Sequence, residues 1–187
     1  GEIMAEATYP KGHPYSWDVI GSMADLSAAT EQDVKDFFRL YYAPNNCYLA
    51  IVGDFDPVQA KAWVQKYFGD IAPGPALTRP GVWIAARDDS RRDVMYDQVA
   101  QIRIQKAWNI PPDGTTDADL LALAGDILGG GKTSRLYERL VYRDQIADGA
   151  SAGASTFEIA GLFMLSADVK KDVAPERVER ALAEELR

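Results

Sequence analysis

Val34, Phe37, Phe38, Tyr41 and Tyr42 recur at the three-and-four spacing of a single helix face. Thr30 heads that run, with Glu31 and Asp33 just behind it. A hydroxyl there caps free backbone N–H groups, and negative charge suits the first turn, so a helix is predicted from Thr30 to the break at Pro44. "CYLAIV", residues 47–52, is a continuous apolar run of strand length and predicts a buried strand that carries Cys47 inside. "GDFDP" then predicts a turn, with Asp56 as a cap and Pro57 at the first helical position. Ala60, Trp63, Val64, Tyr67 and Phe68 form the apolar side of a second helix, which stops at Gly69.

Residues 69–81, "GDIAPGPALTRPG", break the pattern with Gly69, Pro73, Gly74, Pro75, Pro80 and Gly81, and read as a linker. Beyond it the periodicity changes. "VMYD" and "AQIRIQKAWNI" predict strands, and helices are expected over about 117–128 and 134–144. "IADGASAGAS" and "IAGLFMLSADV" predict paired strands, and "PERVERALAEELR" a final helix with Val178, Leu182 and Leu186 on one side. Irregularly alternating helices and hairpins indicate an α+β fold, with lobes of mixed or antiparallel sheet layered against helices. The division expected is 1–70, a linker at 71–85, and 86–187, with the last unit incomplete at its C-terminal end.

"ILGGGKTSRLY", Ile127–Tyr137, invites comparison with a phosphate-binding loop. The P-loop pattern G-x-x-x-x-G-K-[ST] sets its first glycine five positions before the second. Taking Gly131-Lys132-Thr133 as its end puts Asp126 where that glycine belongs. An aspartate there repels phosphate, and Leu120, Leu121, Ala124, Ile127 and Leu128 predict a helix where a P-loop requires a strand. Glycines after a helix act as a C-terminal stop. Alternatively, an open loop of Gly129, Gly130 and Gly131 lets a peptide backbone approach, with Lys132 and Arg135 supplying positive charge. Arg135 can also pair with Glu138. Tyr137, Leu140 and Val141 read as core.

Charge narrows the functions further. The 187 residues carry a net charge of −8 without a basic block, which argues against nucleic acid. No apolar run reaches membrane-spanning length, and "RDDSRRD", 87–93, reads as a solvated mixed-charge edge. The single cysteine excludes an internal disulfide. The single histidine, His13, lies between Gly12 and Pro14 in "KGHPYSW" and reads as a turn residue packed near Tyr15 or Trp17.

Two long segments in this order, "GHPYSWDVIGSMADLSAATEQDVKDFFRLYYAPNNCYLAIVGDFDP" and "ILGGGKTSRLYERLVYRDQIADGASA", resemble the insulinase/pitrilysin family of zinc metallopeptidases. The resemblance covers nearly the whole chain. It implies paired α+β lobes, one of which carries an inverted H-x-x-E-H motif that binds zinc and activates water. This sequence contains no such motif, and one histidine cannot supply two ligands. The resemblance therefore implies a part of the family downstream of the metal site, with no catalytic residue, metal ligand or cofactor in this chain and zinc in the parent protein. In some members the distal lobe lends an Arg and a Tyr to the active site. Val141 and Asp148 stand at those positions here, so those roles are not carried over.

The implied partners are a catalytic lobe and a second module of the same parent, and a peptide substrate. Gly129, Gly130, Gly131, Lys132 and Arg135 are the candidate substrate-chamber contacts. Two function classes follow: a non-catalytic portion of a zinc endopeptidase, or a portion of an inactive relative that acts as scaffold or binding module.

Overall fold

Along residues 161–169, Phe163, Leu165, Ala167 and Val169 are buried while Leu162, Met164, Ser166 and Asp168 are half-exposed. This period-two pattern belongs to a strand with one face in a core, and the larger unit is organised around it. A computed structural model of the protein describes residues 2–87 and 89–187. Along the chain the main elements are α1 (Glu2–Thr8), α2 (Met23–Ala28), α3 (Glu31–Tyr41), α4 (Pro57–Phe68), β1 (Arg103–Ile110), α5 (Thr116–Gly129), a π-helix (Tyr137–Arg143), β2 (Ala147–Thr156), β3 (Gly161–Val169) and α6 (Pro175–Glu185). The chain divides into two units. One combines the residues up to Asp18 with Pro80–Arg187, and the other is Val19–Arg79.

In the first unit the strands lie in the order β1-β3-β2, both pairs antiparallel, giving the α+β architecture read from the sequence. Phe163 faces Trp108 on one side and Ala154 on the other. The inner face of β3 meets Leu136 and Leu140 from the π-helix segment, Ile146, and Val178 and Leu182 from α6. Leu136, Leu140, Val178 and Leu182 are fully buried, each contributing about 1.5–3 kcal/mol relative to an exposed side chain. Leu186, expected beside them, is exposed where α6 ends. A smaller cluster of Tyr9, Ala85 and Ala160, with Tyr15 and Leu162, ties α1 to this unit.

The helix expected over 134–144 forms as a π-helix instead. The Asp144 N–H bonds to the carbonyl of Arg139, five residues back, and the Arg139 guanidinium holds the Asp144 carboxylate at 2.7 Å across the widened turn. "VMYD", residues 94–97, forms no strand. In the charge run at 87–93, Asp88 lies outside the described residues, whereas Arg91 pairs with Asp93 and Arg92 with Glu179.

The second unit is helical, and its boundaries follow local chemistry. Thr30 Oγ1 accepts the Asp33 N–H while Asp33 accepts the Thr30 N–H at 2.8 Å, closing a capping box. The Thr30 hydroxyl, donating to the Asp33 carboxylate at 2.6 Å, and after it the Thr30 N–H hold the Asp33 pKa below the ordinary carboxylate value. Asp56 accepts from Val58 and Gln59 at the start of α4, with Pro57 at its first position. On α3 the i,i+4 ring pairs Phe37–Tyr41 and Phe38–Tyr42 pack at 4.8 and 4.6 Å. Residues 47–52 form no strand, and Cys47 is exposed rather than buried. A strand needs a hydrogen-bonded neighbour, and no other strand lies within 19–79.

Candidate functional site

Helix α5 starts at Thr115, whose side chain accepts the Ala118 N–H. Gly125 and Gly129, one turn apart on α5, are both buried against β2. A β-carbon on Gly125 would stand 2.8 Å from Gly153 Cα. One on Gly129 would stand 2.8 Å from Ala152 Cα and nearer still to its amide nitrogen. No larger residue fits, so the helix rests backbone to backbone on the strand. The two glycines fix where the following turn emerges.

Gly130 ends the helix, its N–H bonding to the Asp126 carbonyl at 3.0 Å. Gly131 has φ +153°, a conformation that side chains with a β-carbon rarely adopt. Its carbonyl accepts both the N–H and the hydroxyl of Ser134, at 3.1 and 2.6 Å, and Ser134 is buried. The chain thereby reverses into the segment that leads to the π-helix. Beside the turn is an open groove of about 440 Å³ lined by Asp126, Ile127, Gly130, Gly131, Thr133, Ser134 and Arg135.

The structure brings together part of the predicted set. Gly130, Gly131 and Lys132 are exposed at the turn, whereas Gly129 is turned onto β2. Arg135 bonds through Nε to Glu185 Oε2 at 3.0 Å, and Glu138 instead pairs with Arg143. Arg139 adds bonds to Glu184 and Glu185 at 2.9 and 3.5 Å. Its hydrogen bonds to the Asp144 and Glu184 carboxylates, which accept, raise the pKa of its guanidinium. Lys132 has no ion pair among the described residues, so it carries the uncommitted positive charge of the turn. Asp126 on the groove wall makes the site unsuited to phosphate.

Sequence reading missed the acidic end of α6, because Glu185 lies fifty residues from Arg135. It also missed the close packing of α5 on β2. The signal was present in the small residues of "GASAGAS" set against glycines four apart on α5.

The single histidine of the chain has both ring nitrogens engaged. His13 is fully buried, with Nε2 2.8 Å from the Trp83 carbonyl oxygen and Nδ1 accepting the Tyr15 N–H at 3.0 Å, so neither nitrogen is free for a metal. Its ring packs against Tyr9, Tyr15 and Trp83, while Trp17 is exposed. Among the described residues no group of three or more His, Cys, Asp or Glu could hold a metal ion. No helix among them is long and apolar enough to cross a membrane. Val141 packs against the core, and Asp148 is exposed at a bulge in β2, accepting from Gln101 Nε2 at 3.0 Å.

Residues 28–187 match the family model described as the peptidase M16 inactive domain. The zinc protease PqqE of Helicobacter pylori is 26% identical over 181 residues, covering 94% of this chain and 41% of that protein. The chain thus spans about two fifths of the length of that relative. The crystal structure of a protease from Helicobacter pylori superposes with a TM-score of 0.75 at 26% identity, over 92% of this chain and 42% of that one. Pitrilysin shares the fold with a TM-score of 0.67 at 17% identity, over 99% of this chain and 21% of its own.

Proposed function

Because this chain belongs to the peptidase M16 inactive-domain family, we propose that it is a non-catalytic portion of an insulinase-like zinc endopeptidase that helps form the wall of the peptide chamber. The observation that carries this reading is the turn after α5. Its exposed Gly130 and Gly131 leave peptide backbone room to approach, and Lys132 beside them has no ion pair among the described residues. In this reading Lys132 meets an acidic group or the C-terminal carboxylate of the peptide. Arg135, already held by Glu185, contributes less. Zinc in the parent is held by residues outside this chain, and the chain by itself neither binds stoichiometric zinc nor cleaves peptides.

The partners in this reading are a catalytic lobe and a second module of the same parent. Its lobe assignment gives residues 1–70 to the end of the preceding, catalytic-type lobe, 71–85 to the connection and 86–187 to the non-catalytic lobe. The exposed faces of Phe37, Phe38, Tyr41 and Tyr42 on α3 support a covering partner for residues 19–79.

The test is kinetic. In the intact parent, Lys132→Ala should lower kcat/KM several-fold, worth about 1 kcal/mol of transition-state binding, with zinc content and thermal stability unchanged. Arg135→Ala should do less. Unchanged kinetics in both variants would leave the turn as a helix stop. A parent that holds no zinc and cleaves no peptide would favour the scaffold reading.

A further inference from the structure

The only histidine in the chain is also one of its most deeply buried side chains. It bridges two stretches of the first unit that are seventy residues apart. On one side is the turn Pro14–Ser16, whose Tyr15 N–H points at Nδ1. On the other is the carbonyl of Trp83 at Nε2. A carbonyl only accepts and a backbone N–H only donates, so these partners together fix the neutral ring with its proton on Nε2.

Other contacts of the N-terminal segment are spread along it. The Tyr15 hydroxyl accepts the Ile159 N–H at 3.3 Å, and its ring meets Phe157 edge-on at 5.5 Å. Arg87 donates to the Ala7 carbonyl. His13 is the point at which the others converge, stacked on Tyr9 and in ring contact with Tyr15 and Trp83.

We propose that His13 is an acid-sensitive latch, whose protonation releases the residues up to Asp18 from the rest of their unit. A proton from solvent takes the Nδ1 lone pair that accepts the Tyr15 N–H. Two donors then face each other and that bond is lost. Among the described residues, the titratable groups in ring contact with His13 are the phenols Tyr9, from the end of α1, and Tyr15, from its own turn. From the opposite stretch it is faced by Trp83, which does not titrate. Arg87, on that same stretch, adds positive charge. On the segment that receives Tyr15, the acidic Glu158 precedes Ile159 in sequence.

The ring faces attract a cation, but they offer no acceptor for the new N–H. Burying an unpaired charge costs more than ring faces return. Opening the segment hands the imidazolium to water. Imidazole is the side chain that gains its charge between about pH 5 and 8, and no second histidine exists to confuse the transition.

The test is amide hydrogen exchange, with NMR of the single imidazole, on this chain from about pH 8 to 5. After correction for intrinsic exchange rates, opening of the first eighteen residues and of the stretch near Trp83 should rise about tenfold per pH unit below the transition. That is the slope for one proton taken up on opening. Protection in β2 and β3 should hold. His13→Asn keeps a side-chain acceptor for the Tyr15 N–H but cannot titrate, so its exchange in this segment should be independent of pH. Three outcomes would overturn the latch: imidazole titration with no change in the Tyr15 amide, an acid transition that spreads through the whole unit, or the same transition in His13→Asn. If that variant does not fold, the slope and location of opening in the unaltered chain decide alone.

Discussion

Gly129 lies so close to Ala152 that no β-carbon fits between α5 and β2. Alanine favours a helix over glycine by about 1 kcal/mol, yet here the added methyl meets backbone, which cannot move aside. Gly129→Ala should therefore destabilise the chain by about 1–3 kcal/mol net. Gly153 is the internal control, since a β-carbon there meets nothing within 4 Å. Gly153→Ala should be tolerated in the same urea titration. Equal midpoints for the two variants would mean that α5 stands further from β2 than described.

Tyr9 makes a different kind of prediction. Its hydroxyl is buried with no hydrogen-bond partner among the described residues. Leaving such a group unsatisfied costs about 1–3 kcal/mol, so Tyr9→Phe should range from neutral to about 1 kcal/mol more stable. Burial, with a smaller contribution from Tyr15, raises the phenol pKa. The folded state thus keeps its proton longer than the unfolded state. Stability from this source is full below the ordinary tyrosine range and is lost as pH rises through the folded value. Tyr9→Phe should remove that alkaline loss. Denaturation midpoints at neutral and alkaline pH check both statements, and a clear loss at neutral pH would point to an uncounted partner for the hydroxyl.

The Arg92–Glu179 contact carries the opposite sign. The hydrogen bond from Arg92, ahead of the general charge attraction, holds the Glu179 pKa below its ordinary value. The folded state therefore releases this proton more readily than the unfolded state. The stabilisation is present above the ordinary glutamate range and fades as pH falls through the depressed folded value. Both groups are solvent-accessible, so the gain is small and screened by salt. Glu179→Gln should flatten this part of the acid limb at low ionic strength and change little in high salt. An acid limb identical in variant and parent would assign it to other carboxylates.

Local chemistry was legible in the sequence and long-range chemistry was not. Thr30 and Asp33 are three residues apart, and both ends of the α3 capping box could be read directly. The same holds for Asp56 and Pro57 at the start of α4, and for the alternation of β3. Residues 47–52 were misread because apolar character signals burial but cannot supply a sheet neighbour. The π-helix was illegible because Arg139 is held by Glu184, forty-five residues away, as well as by nearby Asp144. At the candidate site the glycines were visible as a group. Their separation into buried Gly129 and exposed Gly130 and Gly131 depends on β2, which the sequence pattern alone did not position.

The segment at 69–81 carries the last prediction. It holds no regular element beyond the turn after α4, yet part of it is pinned. Asn45 Oδ1 accepts the Gly74 N–H at 2.8 Å, and Asn45 Nδ2 donates to the Gly74 carbonyl at 3.2 Å, so one side chain occupies both polar groups of a single backbone residue. A β-carbon on Gly74 would stand 2.5 Å from that of Ala43, so the approach depends on glycine. A protease must draw an extended stretch of chain into its cleft, and the clasp makes the residues up to 74 resist that. A broad-specificity protease should cut first within 75–81. Asn45→Ala should extend the early cuts back towards Gly69 and leave later fragments unchanged. Early cuts spread evenly over 69–81 in the unaltered chain would mean that the Asn45–Gly74 clasp opens freely in solution, and first cuts inside 103–110 or 116–129 would misplace the boundary altogether.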